Sequence, residues 1–486
     1  MSQNLIISIL IVYFGILMLI AYLTSRNAGS DAFFSGNKQS PWYLVAFGMI
    51  GTSISGLTFI SVPGKVGQDS FSYYQVILGY IVGYWVIGTI LMPMYYKLNL
   101  ISIYTYLEQR FGFWSYKTGA FIFLLSRTLG SSLRLFLASS VLHLFLFKDW
   151  GMPFWVTVAI TILLIWIYTY RGGVKTIIWT DSFQTIFLIS SVIICVLLIS
   201  SRLDLSFFEM LGKVYDSKLS KVFYLDDYKS GLFFPKYFFG GAFIAIAMTG
   251  LDQDLMQKNL TCKNIGEAQK NMFWFTIIMV LVNMLFLVLG ALLYMYSEAK
   301  GLPIPASRDD LFPLLALNEF GTFAGIFFLL GIIASSYASA DSALAALTTS
   351  FCIDFLDFKS KEESVKQKQK FYVHIAMSLA FFVIIIIAKE INERSLIDIV
   401  LKMAGYTYGP LVGLYAFGLY TRRTLKDSFV PLICLVAPVL TYLIGSNSKE
   451  WFNGYQFSFE IIIVNAVISF MGLWLISDRG LSGSKD

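Results

Sequence analysis

The sequence predicts an all-α protein that crosses a membrane many times. Of its 486 residues, 57% are hydrophobic and 14% are charged, and the mean hydropathy is +0.70. A soluble domain has about 25% charged residues, so this chain has too little polar surface to cover its core in water. Its apolar residues also form long runs, and about 20 such residues span the hydrocarbon core as a helix.

Thirteen of these runs predict about thirteen transmembrane helices. No positive charge precedes the first run in Met1–Asn4, and no small-residue cleavage site follows it, so we expect a retained helix and not a signal peptide. The runs cover residues 5–24, 42–62, 74–94, 117–147, 154–170, 176–200, 237–258, 272–297, 321–352, 372–390, 396–420, 428–446 and 458–476.

The charged residues predict the orientation and exclude several classes of function. The net charge of +6 is modest, and Lys and Arg concentrate in short loops, so we expect no nucleic-acid partner. Apart from the long loop 201–236, these loops orient the N-terminus outside and the C-terminus in the cytoplasm. The sequence shows no metal-ligand spacing, catalytic triad or phosphate loop. We therefore expect a protein of the cell membrane that is not an enzyme and has no obligate protein partner.

Two of the runs have the composition of broken helices. Gly, Ser and Thr interrupt 46–58 and 240–254 at a depth where Leu or Ile is usual. Paired, interrupted helices in matching halves indicate the binding site of a transporter. Small residues also permit close helix packing, which is the alternative. The predicted organisation has five segments: an extra N-terminal helix (1–30), a first five-helix repeat (41–200), an external loop (201–236), a second, inverted repeat (237–421), and two C-terminal helices with a short tail (422–486).

Two motifs place polar groups within the apolar runs. The first, Tyr170–Thr176, marks an inner loop with a glycine turn, and Asp181 follows it about one turn inside the next helix. A carboxylate at that depth usually binds a cation or a proton, unless it reaches the membrane surface. In the second motif, Ser335, Ser339 and Ser342 share one helical face. Hard cations prefer oxygen ligands, so this face is either a cation site or a packing seam of small residues.

Both motifs resemble the signature regions of the sodium:solute symporters. This family includes bacterial proline, galactose and sialic acid transporters and animal sodium/glucose transporters. The resemblance extends from about residue 5 to residue 425. It implies the inverted five-plus-five helix repeat of the leucine-transporter type, with the sodium ion as the coupling ion.

The resemblance also implies the residues of a sodium site. Ser339 matches the family's hydroxyl ligand. Ala338 departs from the family's pattern, because many members have a second Ser at that position. Asp181 matches an aspartate that binds a further sodium ion in some members. The implied ligands of the main site are Gly51, Ile54, Ser335, Ala338 and Ser339.

A solute site is implied beside the first break. Arg127 and Arg134 share one helix face, and a guanidinium suits a carboxylate. Arg127 fits the family spacing better, and the alternative is that both arginines pack or pair with structural acids. The full set of implied solute residues is Ser53, Ser55, Thr58, Phe71, Gln75, Arg127, Arg134, Met248 and Thr249, and the gate candidates are Tyr406 and Thr407.

Together these observations predict a secondary active, sodium-coupled symporter that works by alternating access. Its expected partners are the lipid bilayer and a small polar organic solute. The favoured solute is an anionic sugar acid such as sialic acid, or another carboxylate. The alternatives are a proton-coupled transporter of the same fold, a symporter of a neutral sugar, cyclitol or amino acid, and, more remotely, a solute sensor.

Overall fold

The computed structural model describes residues 3–25, 30–356, 358, 361–390 and 396–478. Most of them are helical, as the sequence predicts. In chain order the long helices and their bent partners are α1 (Gln3–Ser25), α2 (Trp42–Ser53), α3 (Gly56–Asp69), α4 (Tyr73–Lys97), α5 (Phe113–Leu142), α6 (Phe154–Tyr170), α7 (Gly173–Arg202), α8 (Phe234–Gly250), α9 (Gln253–Asn259), α10 (Ile265–Lys300), α11 (Gly321–Phe355), α12 (Glu363–Ala388), α13 (Leu396–Tyr420), α14 (Val430–Ser446) and α15 (Ile461–Leu475).

Short elements connect these helices. Two strands, β1 (Thr424–Leu425) and β2 (Ser477–Asp478), pair antiparallel with Thr424 opposite Asp478. They join the start of the C-terminal region to its end, whereas residues 479–486 of the predicted tail lie outside the described residues. The short helices are Ser30–Ser35, Thr105–Arg110, Phe207–Asp216, Leu311–Leu314 and Ser448–Trp451.

Within the described residues, eight helices are long and apolar enough to cross a membrane, and the two bent pairs raise that number to ten. The helices α6 and α15 are apolar but shorter than 18 residues. The membrane character of the chain is therefore supported by its helices. The total of thirteen spans stays a prediction.

Both helices that the sequence predicts to be broken are bent in the structure. The axes of α2 and α3 differ by 60°, and those of α8 and α9 differ by 68°. At the first break Ile54 has the non-helical angles φ −87° and ψ 82°. At the second, Asp252 is extended and its side chain accepts a hydrogen bond of 2.9 Å from the backbone amide of Asp254. Aspartate is a favoured N-cap because it satisfies a free amide, so it ends one helix and begins the next.

The predicted glycine turn separates α6 from α7. Gly173 has φ +51°, a conformation that side chains with a Cβ rarely adopt. A Cβ there would also lie 2.5 Å from the ring of Phe33. Because both the backbone angle and the close contact require glycine, this turn fixes the point at which α7 begins, eight residues before Asp181.

The helix α11 forms the centre of the fold. In its most apolar stretch of 18 residues, 83% of the residues are buried, compared with 28% in α1 and 22% in the segment Asp427–Ser446. It packs against α7, α5 and both halves of the first bent helix. The serine face of α11 therefore lies beside the first break, and α1 and α14 lie at the periphery.

Candidate ion and solute site

The first break packs directly on α11. A Cβ added to Gly51 would lie 2.5 Å from the Thr185 hydroxyl and 3.6 Å from the Ala338 Cβ, and one added to Gly56 would lie 1.9 Å from the Ser336 hydroxyl. Only glycine allows this approach at both positions. The end of α2 and the start of α3 therefore bring their backbone against the serine-rich face of α11.

This contact gathers the residues that the family resemblance implies for sodium. Gly51 lies against Ala338, and Ser335 and Ser339 lie within about one helical turn of Ala338. All these residues and Ile54 are buried. The last carbonyl groups of a helix accept no hydrogen bond within that helix. Carbonyl oxygens at the end of α2 therefore lie beside the serine hydroxyls of α11 and are available as ligands. The donor set consists of neutral oxygens, which suits a small hard cation.

The two serines differ in how their hydroxyls are used. Ser335 donates its hydroxyl to the carbonyl of Ile332 at 3.0 Å, within its own helix. The Ser339 hydroxyl instead accepts from Nη1 of Arg134, and the distance of 3.4 Å between the two atoms is long for a hydrogen bond. Ser339 is therefore the hydroxyl of this pair that turns toward another element.

A cavity of about 70 Å³ lies between the two bent helices and the helices α4, α5, α10 and α13. Seven of the nine residues implied for the solute line it. The hydroxyl groups of the first break line the same cavity as the two arginines of α5, and the buried Ser53 hydroxyl has no hydrogen-bond partner in the described residues. The seven residues are Ser53, Ser55, Thr58, Arg127, Arg134, Met248 and Thr249.

Further residues complete the cavity, and the sequence reasoning missed them. Tyr73, Tyr80 and Tyr84 line one wall from α4, and Asn283 lines another from α10. The three tyrosines lie at i, i+7 and i+11, which is the spacing of one helical face. Asn283 is a lone amide within an apolar run, so both signals were present in the sequence. The cavity is thus more aromatic than the predicted residue set.

Phe71 and Gln75 lie at the loop 201–236 and not among the residues that line the cavity. The Gln75 side chain donates to the carbonyl of Leu232 at 3.0 Å and accepts from the amide of Tyr224 at 3.3 Å. The Phe71 amide donates to the carbonyl of Lys221 at 3.1 Å. Both residues hold the long loop against the start of α4. Their role as solute ligands stays a prediction.

The two gate candidates occupy different surroundings. The ring of Tyr406 contacts Tyr442 of α14, with 5.9 Å between centroids, and its carbonyl accepts from the amide of Asn465 at 2.7 Å. Tyr406 thus faces the C-terminal helices. Thr407 lines a small recess together with Arg127, Arg134 and Met248, beside the larger cavity.

Arg127 is enclosed by acidic partners. It forms an ion pair with Asp254, and its Nη1 lies 3.7 Å from Asp252. The hydroxyl of Tyr408 donates to Asp252 at 2.5 Å, and the hydroxyl of Ser342 donates to Asp254. The charge of Arg127 is therefore neutralised by the second break. Sequence reasoning named these aspartates only as part of that break, because it gave no measure of their distance from α5.

Arg134 has no such acidic partner. Within the part of the chain that the structure describes, no carboxylate forms an ion pair with it, and its Nε has no hydrogen-bond partner. It is partly buried and lines the cavity, while its Nη1 reaches Ser339. Arg134 therefore stands between the solute cavity and the residues implied for sodium.

Asp181 is fully buried and has a basic partner. Its Oδ2 forms an ion pair with the ammonium group of Lys258 and accepts a hydrogen bond of 2.9 Å from the Thr52 hydroxyl. The Lys258 side chain is 1% exposed. The sequence reasoning missed this lysine, although it ends the apolar run 237–258. Another buried carboxylate, Asp341 of α11, accepts a hydrogen bond of 2.7 Å from the hydroxyl of Tyr168.

Known proteins resemble this chain over most of its length. The sodium/sialic acid symporter NanT of Aliivibrio fischeri is 23% identical over 467 residues, which cover 94% of this chain and 91% of that protein. The sodium/sialic acid symporter SiaT of Proteus mirabilis is 23% identical over 477 residues, covering 95% and 94%. A solved Na⁺-coupled sialic acid symporter in a substrate-bound, outward-open state superposes with a TM-score of 0.83 at 20% identity, covering 98% of this chain and 99% of that one.

The structural likeness shows that the chain has the leucine-transporter type of fold. The sequence model of the sodium:solute symporter family matches residues 33–428, which is well over half of the chain. This range includes both bent helices, the serine face of α11 and the two arginines. The protein belongs to the sodium:solute symporter family.

Proposed function

We propose that this protein imports a small organic acid, of the sialic acid type or another carboxylate, together with sodium by alternating access. The observation behind this proposal is the position of Arg134, which lines the cavity without a carboxylate partner in the described residues and reaches Ser339. An unpaired cation in a membrane interior is costly. A solute carboxylate supplies a countercharge in direct contact with Arg134.

The unequal pairing of the two arginines supports Arg134 as the residue that binds the solute. Arg127 already has Asp252 and Asp254, so an additional carboxylate there would meet two like charges. Nε of Arg134 has no hydrogen-bond partner in the described residues, and the fork of this guanidinium can hold a carboxylate with two hydrogen bonds. The hydroxyls of Ser53, Ser55 and Thr58 lie in the same cavity and can bind the hydroxyl and amide groups of a sugar acid.

The sodium ion is a second substrate in this proposal. It binds where α2 ends on α11, with Ser339 as the side-chain ligand and carbonyls near Gly51 and Ile54 as the backbone ligands. Two relatives are sodium/sialic acid symporters, which supports sodium over a proton as the coupling ion. Inward movement of one sodium ion gains about 2.3 kcal/mol per 100 mV of membrane potential, in addition to the concentration gradient.

We further propose that the N-terminus lies outside and the C-terminus in the cytoplasm, with the predicted repeats 41–200 and 237–421 as the two halves that move. The uneven distribution of Lys and Arg among the short loops supports this orientation. The two bends, of 60° and 68°, lie at matching places in these halves. Rocking of the halves about the bends exposes the site to each side in turn.

The experiment is a thermal-unfolding assay followed by uptake into proteoliposomes. The purified protein is heated in sodium or potassium with N-acetylneuraminic acid, its neutral methyl ester, glucose, proline or myo-inositol. A ligand of the folded state at a hundredfold excess over its Kd stabilises the protein by about 2.7 kcal/mol. We expect sodium to raise the melting temperature, and the acid to raise it further only in sodium.

Other outcomes select the alternatives. Equal stabilisation by sodium and potassium, together with uptake driven by a pH gradient, would establish the proton-coupled transporter. Stabilisation by the methyl ester as strong as that by the acid, or by a neutral sugar, cyclitol or amino acid alone, would reject the carboxylate. Binding of a solute without uptake under any ion gradient would indicate the sensor.

A further inference from the structure

The ion pair between Asp181 and Lys258, together with the hydroxyl of Thr52, joins three separate helices. Asp181 belongs to α7, Lys258 to α9, and Thr52 to α2 beside the first break. Thr52 donates its hydroxyl to Oδ2 of Asp181 at 2.9 Å and accepts a hydrogen bond from the Lys258 ammonium. The side chain of Asp181 is 0% exposed and that of Lys258 is 1% exposed. These groups therefore form a closed triangle without access to bulk solvent.

Oδ1 of Asp181 has no hydrogen-bond partner in the described residues, but the hydroxyl and carbonyl oxygens beside it are engaged. The Thr185 hydroxyl accepts from the amide of Gly51 at 3.1 Å and lies 2.7 Å from the carbonyl of Asp181, to which it donates. A Cβ added to Gly48 would meet the Asp181 Cβ and the carbonyl of Ile178, each at 3.2 Å. A desolvated cation needs several oxygens at once. Around Asp181 these groups bond to one another and pack closely.

A buried carboxylate in a membrane protein needs a positive partner, and here the chain itself supplies one. The Lys258 ammonium is attached to α9 and already contacts the Asp181 oxygen that accepts from Thr52. A second monovalent cation at the same carboxylate would lie close to this fixed charge. Like charges in a medium of low dielectric constant repel strongly. The pairing therefore disfavours a mobile ion at Asp181.

We propose that Lys258 is a resident cation that takes the place of a transported ion at Asp181, so that each solute enters with a single sodium ion. This inference rests on the proposed sodium symport and specifies its ion stoichiometry.

The test counts sodium ions on the detergent-purified full chain by equilibrium binding of ²²Na⁺, with the solute absent and with N-acetylneuraminic acid present. The variants are Lys258→Met, which removes the charge at similar length, Lys258→Arg, which keeps it, and the double variant Asp181→Asn/Lys258→Met, which removes both charges. We expect one ion per chain for the wild type and for Lys258→Arg. We also expect one ion for the double variant, with an affinity within about threefold of the wild type.

The single variant Lys258→Met gives the strongest signal. It leaves Asp181 without a countercharge, so a second sodium ion binds and the count rises to two. If this variant does not fold, as judged by gel filtration and melting, the double variant decides alone. Two ions on the wild type, or loss of an ion in the folded double variant, would overturn the proposal.

The failure of this inference is distinct from the failure of sodium symport. A wild-type count of zero, or a count that Ser339→Ala leaves unchanged in number and affinity, rejects the proposed function and with it the stoichiometry. A wild-type count of two that depends on both Ser339 and Asp181 keeps sodium symport and rejects only the role of Lys258. Charge movement per solute in proteoliposomes provides an independent count.

Discussion

Arg134 reaches the hydroxyl of Ser339 with Nη1 at 3.4 Å, so a guanidinium group and a serine implied as a sodium ligand are neighbours. A sodium ion bound at Ser339 and the charge of Arg134 repel each other. A carboxylate on Arg134 removes that repulsion. This single contact therefore offers a direct physical link between binding of the ion and binding of the solute.

The first prediction follows from this link. An anionic solute should increase the affinity for sodium about 5- to 150-fold, the usual range of coupling free energies between sites, and sodium should increase the affinity for the solute by the same factor. Titration calorimetry in both orders measures the two factors. The neutral methyl ester is the control, because it fills the cavity without neutralising Arg134. Equal coupling by the acid and the ester would contradict the electrostatic explanation.

The second prediction concerns the solute. Arg134→Gln removes the fork that we assign to the carboxylate, and the loss of a charge-assisted pair costs about 1.5–3 kcal/mol, which corresponds to a roughly 10- to 150-fold weaker solute affinity. Melting temperature without solute should change little, because Arg134 has no ion pair in the described residues. Solute titrations in sodium measure the effect. Unchanged affinity for the acid in Arg134→Gln would exclude Arg134 as its ligand.

The third prediction separates Arg127 from Arg134. Arg127→Gln leaves Asp252 and Asp254 as buried charges without their partner, and breaking a buried ion pair costs about 3–5 kcal/mol. We expect a clear fall in the melting temperature, even in the absence of sodium and solute. Arg134→Gln is the matched control on the same helix face. A stable Arg127→Gln protein with weak solute binding would reverse the two roles.

The fourth prediction tests the sodium ligand. Ser339→Ala should abolish the rise in melting temperature caused by sodium, because of the two implied serine ligands Ser339 is the one whose hydroxyl turns out of its own helix. Ser378→Ala is the control, since Ser378 donates to the carbonyl of His374 within α12 at 2.8 Å. Melting curves at increasing sodium, with potassium keeping ionic strength constant, provide the measurement. A full response to sodium in Ser339→Ala would remove this residue from the site.

The fifth prediction concerns the close approach of the first break to α11. Gly56→Ala places a Cβ 1.9 Å from the Ser336 hydroxyl, so the break must move and sodium binding should weaken. Ser336→Ala removes that oxygen and leaves the Ser336 Cβ at 3.3 Å as the nearest atom, so the double variant should recover part of the sodium affinity. Gly15→Ala is the control, because a Cβ there meets no atom of the described residues within 4 Å. A double variant as impaired as Gly56→Ala alone would show that the contact is not the cause.

The sequence by itself determined the properties that neighbouring residues share. Hydrophobic runs predict the membrane helices, and the Gly, Ser and Thr residues at 46–58 and 240–254 predict the two bends. Seven of the nine solute candidates line the cavity because most of them cluster at those bends, where local composition already marks the irregular backbone.

Only the tertiary structure decided which charges meet. Arg127 and Asp254 are 127 residues apart, and Asp181 and Lys258 are 77 residues apart. No local pattern distinguishes Arg127 from Arg134, since both lie on one face of α5 and differ only in what packs opposite. The same reason explains Gln75, whose amide binds the loop 201–236 at Leu232 and Tyr224. Helix periodicity is a property of adjacent residues, whereas the partner of a buried charge depends on how distant helices pack.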